Sequence, residues 1–471
     1  MTTEPLPLRD DQIADLAFYM ANPKGGNLSE PGAGKTPSVC VMEYFRWTHH
    51  KHGTVWVMPK SLLRKNKAEL HRFTRFTDDE VVIVDGTAKQ VERQLSSGAA
   101  VFLMGFRRFA LSWRSLPDYV RAVDVDEFHM GFKSSGSQAS QALFEFFDSG
   151  RGEWFLPMTG TLIDGRLDSA YPAIRVIEPR YYANHDSFIR QHAVYDIFDS
   201  AKIVGWQNHD KLRTVFGRHF IRRTFKDIHG DQEIVHQHRL CVMNPRQREQ
   251  YDKFEAEAIL DLEKFYLDGT MPGSAYIRAC QLMEHPNMFP DLTSPGSFID
   301  TMPGQTPAKE DMLEVDLEDH ANNGKPLLIF SSMVPQQYRI SALLTKHGIK
   351  HGVINGDTPA KLRDQYDEQF RAGEISALVC SEQCAAVGYN WQFCGVREVD
   401  HVIFLAMGYL DTIFLQARQR AIRQNRSSPL RVSIFEYEDS IDQNKFGIIL
   451  RKSIDAHRVD PTRPIVDLRA K

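Results

Sequence analysis

Residues that suit nucleotide chemistry occur near the start of the chain. The stretch Ser29–Thr36 reads Ser-Glu-Pro-Gly-Ala-Gly-Lys-Thr and opens a helical stretch. Its glycines allow backbone N–H groups to curl around phosphate oxygens, and a helix N-terminus adds its positive end. Lys35 is expected to reach the β- and γ-phosphates, and the Thr36 hydroxyl to ligate Mg²⁺. Ser29 stands where the general pattern has its first glycine.

A pair of carboxylates follows a short apolar run further along the chain. Asp126 and Glu127 come directly after Ala122–Val125, which predicts that both lie at the carboxyl end of a buried strand. Ligands of open α/β sheets bind at that edge. Asp126 can hold Mg²⁺, directly or through water, and Glu127 can orient and deprotonate an attacking water. Acidic pairs at strand ends are common, so the pair becomes informative through the phosphate-binding pattern upstream.

Two further groups of residues could complete such a site. Thr159–Thr161 follows another strand-like run, and its two hydroxyls suit a hydrogen-bonded relay, although a simple turn is an equally good interpretation. Gln416, Arg420 and Arg423 are spaced i, i+4 and i+7, which predicts one shared face of a helix. Arginines facing a nucleotide would stabilise charge on its γ-phosphate. A solvated basic face is the usual alternative, and the nucleotide motifs favour the catalytic interpretation.

Short apolar runs alternate with longer helical stretches such as Lys60–Phe73 and Lys361–Phe370. Runs of this length, rich in Val, Ile and Phe, are typical of strands buried on both faces. Alternation of strand and helix predicts parallel sheets, and two such series predict two α/β lobes. The runs are Thr54–Met58, Val81–Val84, Ala100–Met104, Ala122–Val125 and Trp154–Met158, then Pro326–Phe330, His351–Ile354, Ala377–Cys380, His401–Leu405 and Arg431–Phe435.

The region between the two series differs in pattern. Asn244–Pro245 indicates a helix cap followed by proline at the first helical position. Apolar residues then recur at helical spacing from Tyr251 to Phe265, which predicts one amphipathic helix ending at Asp268–Gly269. The stretch Pro290–Pro307 is rich in Pro, Gly, Ser and Thr and indicates a flexible loop. We therefore expect a first lobe over residues 1–228, a helical protrusion with a loop over 229–320, and a second lobe over 321–471.

Composition limits the possible classes. The 471 residues are 42% hydrophobic and 25% charged, as in a folded globular protein of two to three domains. No run of about 18 apolar residues predicts a membrane span. Six cysteines in a chain this long do not indicate a disulfide framework, and buried reduced thiols are expected. The net charge of −4 means that contacts to nucleic acid must come from local basic patches.

The order and identity of the motifs resemble helicase superfamily two, and more closely its Swi/Snf-related branch of double-strand translocases. The resemblance runs from Leu8 to about Lys452. Its most specific part is Gln416–Arg423, Gln-Ala-Arg-Gln-Arg-Ala-Ile-Arg, which is close to the Gln-Ala-x-x-Arg-x-x-Arg of motif VI. The resemblance implies an α/β fold of two tandem RecA-like lobes, each a parallel sheet flanked by helices, with a helical insertion in the second lobe.

Other segments extend the resemblance through both halves of the chain. They are Leu8–Gln12 at the opening motif, Val57–Leu63 at motif Ia, Asp126–Lys133 at motif II, Met158–Ile163 at motif III, Ile221–Thr224 at the end of the first lobe, Leu328–Ser331 and Ile354–Gly356 at motif IV and its neighbour, and Ser381–Asn390 at motif V. In the opening motif the glutamine, here Gln12, reads adenine. Motif Ia touches the backbone of the nucleic acid.

The resemblance implies a role for each matching residue, with ATP and Mg²⁺ as cofactors. Lys35, Glu127, Arg420 and Arg423 would be catalytic, and Thr36 and Asp126 would hold the metal. The nucleotide would contact Arg9, Gln12, Pro31, Gly32, Ala33, Gly34, Lys35, Thr36, Gly388 and Gln416. The nucleic acid would contact Pro59, Lys60, Ser61, Ser331, Gly356 and Ser381, and His129, Thr159, Gly160 and Thr161 would couple the nucleotide to the second lobe.

Several positions depart from the branch. Ala385 and Ala386 replace the usual glycines of motif V, although Gly388 and Asn390 are kept. Asn425–Arg426 replaces the Gly-Gln that follows motif VI. Met407–Tyr409 stands where the branch has Trp-Asn-Pro. We still expect ATP hydrolysis despite these departures. They concern the residues expected to couple closure of the lobes to movement on DNA.

Three functions are compatible with the motifs. The first is a double-strand DNA translocase that remodels duplex or branched DNA by branch migration, reannealing or displacement, in recombination, replication or repair. The second is a helicase that separates strands of RNA or acts on single-stranded DNA. The third is a non-motor scaffold that uses ATP as a switch.

The small size of the chain for this branch suggests a bacterial or phage protein of the cytoplasm. We expect it to act as a monomer on DNA without marked sequence specificity, with recombination or replication proteins as further partners and no membrane association. Phosphate contacts carry no base information, which is why little specificity is expected.

Overall fold

The computed structural model describes residues 4–230, 233–257, 259–262, 265–268, 272–291, 294, 297–385, 388–409, 411–422 and 426–469. The chain divides into two compact units. The first comprises residues 1–230 and 452–465, and the second comprises residues 231–451 and 466–471. Residues 231–320, most of the part expected to be separate, fall in the second unit, and the segment 452–465 groups with the first unit.

A five-stranded parallel sheet forms the centre of the first unit. Its strands lie in the order Val81–Ile83, Val101–Met104, Gly53–Val57, Val120–Val125, Trp154–Pro157. The central strands are apolar and buried along their length, as expected for a sheet covered on both faces. Shorter strands are Gly26–Asn27 paired with Phe220–Ile221, and Ala193–Tyr195 paired with Ile203–Trp206.

Helices of the first unit cover this sheet and contribute to its hydrophobic core. They span Asp10–Ala21, Lys35–Phe45, Leu63–Phe73, Ala88–Leu95, Phe106–Ser112, Phe128–Phe132, Gln138–Asp148, Tyr171–Ile177, His185–His192, His209–His219 and Phe225–His229. Short 3₁₀ turns occur at Lys60–Leu62, Asp78–Glu80, Trp113–Ser115 and Leu167–Ala170, and a π-helical turn at Arg46–His50.

A six-stranded parallel sheet forms the centre of the second unit. Its strands lie in the order Ile234–Cys241, Leu430–Tyr437, His401–Ala406, Leu327–Ser331, Ala377–Cys380, His351–Ile354. Two parallel sheets flanked by helices confirm the predicted fold class. Every apolar run that the sequence predicts as a strand is a strand of one of these sheets, with bounds shifted by at most two residues.

Helices of the second unit span Pro245–Glu257, Pro272–Glu284, Ala308–Asn323, Val334–Lys346, Ala360–Ala372, Glu382–Ala385 and Asp411–Arg418, with a 3₁₀ turn at Pro286–Met288. The last helix, Ile441–Val459, begins in the second unit and ends in the first. Short antiparallel pairs join Ile259–Leu262 to Phe265–Asp268, Phe289–Pro290 to Phe298–Ile299, and Phe393–Cys394 to Arg397–Glu398. None of the described helices is long and apolar enough to cross a membrane.

One sequence prediction for the middle region is wrong. The helix that starts at Pro245, capped by the Asn244 side chain on Gln247 N at 2.9 Å, ends at Glu257 rather than near Asp268. The stretch beyond it forms a β-hairpin, because its β-branched and aromatic residues also fit strand pairing. Ala258 lies outside the described residues. The predicted loop Pro290–Pro307 contains a strand, Phe298–Ile299.

The cysteines are free thiols, as expected, and five of the six are buried. Cys384 is half-buried. Among the described residues, no group of three or more His, Cys, Asp or Glu side chains has the arrangement of a metal site.

Candidate active site

The loop between the strand Gly26–Asn27 and the helix Lys35–Phe45 has a backbone that only glycine adopts readily. Gly32 has φ of 86° and Gly34 has φ of 81°, both in the left-handed region. A Cβ atom on Gly34 would lie 2.8 Å from Nη2 of Arg9, so a side chain there would also clash. The helix starts directly after Gly34, and its first N–H groups have no acceptor within the helix. The loop therefore has the geometry of an anion site.

Arg9 and Gln12 lie against this loop. The Arg9 guanidinium donates from Nη2 to the Ala33 carbonyl at 3.3 Å, and Gln12 donates from Nε2 to the Gly34 carbonyl at 3.1 Å. The Arg9 backbone N–H donates to Gln12 Oε1 at 3.0 Å, which caps the helix Asp10–Ala21 and orients the amide. The structure thus brings both predicted residues to the loop. Reading of adenine by Gln12 stays a prediction.

Lys35 lies among carbonyls and carboxylates at the end of the first sheet. Its Nζ donates to the Ser29 carbonyl at 2.6 Å and to the Glu30 carbonyl at 3.3 Å. Burial lowers the pKa of Lys35, and the nearby charges of Glu127 and Asp126 offset part of that shift. The predicted lysine and carboxylates are therefore close enough to interact. Thr36, half-buried, is the second residue of the helix that Lys35 begins.

Asp126 is an ionisable group in an unfavourable position for its charge. Burial and the neighbouring Glu127 charge together raise the pKa of Asp126 to about 6, against the opposing effects of Lys35 and Asn66. Asn66 donates from Nδ2 to Asp126 Oδ2 at 3.2 Å. Burial and Glu127 therefore disfavour the charge of Asp126 more than Lys35 favours it, and a divalent cation bound there would neutralise the two carboxylates.

Glu127 has an unusual backbone. Its φ of 50° and ψ of 52° lie in the left-handed region, which is uncommon for a residue with a long side chain. Its N–H donates to Asp126 Oδ1 at 3.0 Å, which fixes the Asp126 carboxylate relative to the Glu127 backbone. Such a conformation costs on the order of 1 kcal/mol and is found preferentially at active sites.

The residues predicted to couple the site form a hydrogen-bonded series. His129 Nδ1 lies 2.8 Å from Thr159 Oγ1 and 3.6 Å from Glu127 Oε2. Thr159 Oγ1 accepts from the Thr161 N–H at 3.0 Å. A Cβ atom on Gly160 would lie 2.8 Å from Cδ of Pro31, so this glycine permits close contact with the phosphate loop. That these residues couple the nucleotide to the second lobe stays a prediction.

Contacts that sequence reasoning missed hold the loop in place. The Ser29 hydroxyl accepts from the Arg223 N–H at 3.0 Å, which gives a structural use to the serine that replaces a glycine. The Arg223 guanidinium donates from Nε to Asp15 Oδ1 at 2.7 Å. The Phe225 N–H donates to Glu30 Oε2 at 2.7 Å. These partners are far apart in sequence, and no local pattern would have revealed them.

The predicted contacts to nucleic acid differ in accessibility. Lys60 is 67% exposed, with Nζ 3.1 Å from Asp85 Oδ1, and Ser61 is also exposed, whereas Pro59 is buried. Gly356 is exposed and Ser381 half-buried, at the carboxyl ends of strands of the second sheet.

Ser331 is fully buried, and its Oγ donates to Gln336 Oε1 at 2.6 Å. Its side chain is therefore engaged within the second unit. The role of Ser331 as a contact to nucleic acid stays a prediction, and the geometry favours a part in shaping the loop that follows the strand Leu327–Ser331.

One expectation about motif VI is wrong in its geometry. The helix Asp411–Arg418 carries the buried Gln416 but ends before Arg420, so these side chains do not share a helical face. Arg420 is buried beyond the helix and donates from Nη1 to the Tyr389 carbonyl at 3.1 Å, next to Gly388, whose φ is 87°. Arg423 lies outside the described residues.

A phosphate-binding loop with a lysine and a carboxylate pair at the end of a parallel sheet fits the site of a P-loop nucleotide hydrolase. The family model "SNF2-related domain" matches residues 17–287, more than half of the chain, and the model "Helicase conserved C-terminal domain" matches residues 308–425. The chain belongs to the SNF2-related family.

Similarity to individual known proteins is lower than the match to the family models. The SWI2/SNF2 ATPase core of Sulfolobus solfataricus, solved in complex with double-stranded DNA, is 15% identical, with a TM-score of 0.42 over 94% of this chain and 91% of that chain. No curated protein matches the sequence.

Proposed function

We propose that the protein hydrolyses ATP to move on duplex or branched DNA, which it remodels by branch migration, reannealing or displacement in recombination, replication or repair. The observation that carries the proposal is the half-buried group formed by Lys35, Asp126 and Glu127 beside the glycine loop. Family membership supports the use of a nucleotide. The finer functional statement rests on the motifs that resemble the double-strand translocase branch.

The triphosphate is proposed to bind at the glycine loop. The first N–H groups of the helix Lys35–Phe45 would meet the phosphate oxygens, and Lys35 would exchange the carbonyls of Ser29 and Glu30 for the β- and γ-phosphates. Gln12, already hydrogen-bonded to the loop, is proposed to contact the base. The burial of Lys35 strengthens its attraction for phosphate because water screens the charge less.

Magnesium is proposed to be held by Thr36 and Asp126. Burial and Glu127 raise the pKa of Asp126 to about 6 despite the nearby Lys35, so a bound cation would stabilise the ionised carboxylate. Bound there, Mg²⁺ would neutralise charge on the phosphates. Asn66, which donates to Asp126 Oδ2, would keep that carboxylate oriented.

Glu127 is proposed as the base that orients and deprotonates the attacking water. Its left-handed backbone and its N–H bond to Asp126 Oδ1 fix the start of the side chain. His129 and Thr159 would hold the surrounding loop in register with Glu127. The contributions of Gln416, Arg420 and Arg423 to hydrolysis stay predictions from motif VI.

Contacts to DNA are proposed to come from exposed groups, above all Lys60 and Ser61 in the first unit and Gly356 in the second. Lys60 has a mobile, hydrated ammonium that can exchange Asp85 for a phosphate at little cost, since exposed ion pairs are weak. Contacts of this kind bind the backbone and confer no base specificity.

ATPase rates measured with different nucleic acids test the proposal. We expect blunt duplex, forked and four-way-junction DNA each to raise the rate at least about tenfold over protein alone, with single-stranded DNA and RNA much less effective. The variant Lys35→Ala serves as the control for contaminating ATPase. Preference for single strands would favour a strand-separating helicase. ATP binding with no stimulation by any nucleic acid would favour an ATP-switch scaffold, and either result would refute the proposal.

A further inference from the structure

A short segment that follows the second sheet in sequence belongs to the first unit and lies beside the proposed ATP site. Residues 452–465 group with that unit, and Ala456 and Val459 belong to its hydrophobic core. The helix Ile441–Val459 ends at Val459, and the next residue is Asp460. The segment therefore places a carboxylate directly after a helix end that is anchored by apolar packing.

Both oxygens of Asp460 have partners. Oδ2 accepts from Nη1 of Arg222 at 2.7 Å, and Oδ1 accepts from the Thr462 N–H at 3.2 Å and from its hydroxyl at 2.5 Å. The Arg222 side chain is 9% exposed and the Asp460 side chain 13% exposed. Because the pair is largely shielded from water, it is stronger and better oriented than an ion pair on the surface.

Arg222 connects Asp460 to the nucleotide site. The same Nη1 lies 3.4 Å from the Gly160 carbonyl, and Gly160 itself packs against Pro31 of the phosphate loop. The charge of Arg222 adds to burial in lowering the pKa of Lys35. Arg222 is therefore within electrostatic reach of the place where phosphates are proposed to bind.

A second arginine of the same segment contacts the same loop. Arg463 is buried, and its Nη1 donates to the Ile163 carbonyl at 2.8 Å. The carbonyls of Gly160 and Ile163 flank Thr161, so the loop that carries the Thr159 and Thr161 hydroxyls is held from outside at two points. One of those points depends on Asp460.

We propose that Asp460 is a positioning residue of the ATPase site, acting through Arg222. The inference rests on the ATP site assigned above. Asp460 orients the guanidinium against Gly160, which keeps Thr159 in contact with His129 and so keeps the loop beside Glu127 in register. Its negative charge also offsets the positive potential of Arg222 at the phosphate loop.

Kinetics of Asp460→Ala test this role. Loss of the oriented guanidinium is expected to lower kcat about tenfold, the effect of losing a charged hydrogen bond. Loss of the negative charge is expected to lower the KM for ATP about threefold, since the triphosphate then meets a more positive site. Partial unfolding would lower the measured kcat alone and leave KM unchanged, so the fall in KM separates positioning from mere structural support.

Asp455→Ala is the matched control. Asp455 lies on the same helix, is partly exposed, and pairs with His209 at 3.6 Å and Arg458 at 3.5 Å rather than with Arg222. We expect its kcat and KM to stay within about twofold of the parent. Asp460→Asn, which preserves size and can still cap the turn at Thr462, reports on the charge if the alanine variant folds poorly.

A double-mutant cycle with Arg222→Gln completes the test. If Asp460 acts through Arg222, adding Asp460→Asn to Arg222→Gln should change kcat by less than about twofold. Equal effects of Asp460→Asn on kcat in both backgrounds, or unchanged kinetics in all Asp460 variants of an active enzyme, would overturn the inference. Absence of ATPase in the parent protein would instead refute the proposed function.

Discussion

Two groups of buried charge lie at the carboxyl ends of the two sheets, and they differ in how the charge is balanced. In the first unit one lysine, Lys35, lies near the carboxylates of Asp126 and Glu127. In the second unit two lysines, Lys309 and Lys445, meet Glu284 and Asp442. The first group has too little positive charge, whereas the second has equal numbers of cations and carboxylates.

The second group is connected throughout by short bonds. Lys309 Nζ lies 2.7 Å from Glu284 Oε1 and 2.9 Å from Asp442 Oδ2, and it donates to the Leu405 carbonyl at 3.0 Å. Lys445 Nζ lies 2.7 Å from Asp442 Oδ1. Burial opposes the charge on Lys309, but the adjacent carboxylates more than compensate and raise its pKa. Burial likewise opposes ionisation of Asp442, and the two lysines hold its pKa well below the usual range, whereas burial keeps the pKa of Glu284 raised despite Lys309.

The difference separates a structural polar group from one prepared for a ligand. Where partners within the chain satisfy buried charges, the arrangement holds helices and strands together. At the loop of Lys35, burial shifts the pKa of the lysine down and that of Asp126 up, towards the neutral forms. Perturbed groups of this kind are concentrated at functional sites. We interpret the imbalance as a place for a phosphate anion together with a divalent cation.

Lys309→Met gives the largest expected change in stability. Without the lysine, Glu284 and Asp442 remain buried with half of their positive charge removed, which should cost about 3–5 kcal/mol of unfolding free energy. Chemical denaturation at neutral pH measures it. Lys325→Met is the matched control, since Lys325 is 54% exposed and its bond to Asp400 should be worth less than about 1 kcal/mol. Equal losses in the two variants would contradict the structural role of the buried group.

Asp126→Asn is expected to stabilise the protein when nucleotide and metal are absent. The folded-state pKa of Asp126, about 6, exceeds its ordinary value of 3.8, so ionisation weakens the fold as pH rises between those values. The asparagine should therefore add on the order of 2 kcal/mol at pH 8 and little at pH 4. Thermal unfolding across this pH range, with the exposed Asp79→Asn as control, measures the effect. If Asp126→Asn destabilised the protein at pH 8, the charge of Asp126 could not be uncompensated in the folded state.

Lys60→Ala is expected to change stability least. Lys60 is well exposed, and its ion pair with Asp85 contributes less than about 1 kcal/mol. Its effect should appear in DNA binding, where the slope of log affinity against log salt should fall by about one. Lys89→Ala, another exposed lysine of the first unit, should leave the slope unchanged. An identical slope in both variants would remove Lys60 from the proposed DNA contacts.

The sequence predicted the strands of the two central sheets well, with one exception. Strands buried on both faces are continuous apolar runs, so Gly53–Val57 or His401–Ala406 is recognisable without tertiary information. The edge strand Ile234–Cys241 was missed because it contains His236, Gln237, His238 and Arg239 and is only partly buried. A polar edge strand has no apolar run, and pairing with Leu430–Tyr437 gives it its structure.

The parts of the candidate site that are formed by residues adjacent in the sequence were predictable. The loop at Gly32–Thr36 and the pair Asp126–Glu127 follow from residue types and spacing. The supporting contacts were not predictable, because Asn66 reaches Asp126 across 60 positions and Asp460 reaches Arg222 across 238. Helical periodicity also misplaced Arg420, since i, i+4 spacing does not show that the helix stops at Arg418.

ATP hydrolysis by Glu127→Gln tests the central claim most directly. The substitution keeps the size of the side chain and the Asp126 contact to the backbone N–H, and it removes the base. In single-turnover experiments with duplex DNA, hydrolysis should fall by about a hundred- to ten-thousandfold, while ATP binding stays within about threefold of the parent. Hydrolysis at the parental rate would contradict the assignment of this buried carboxylate pair as the catalytic site.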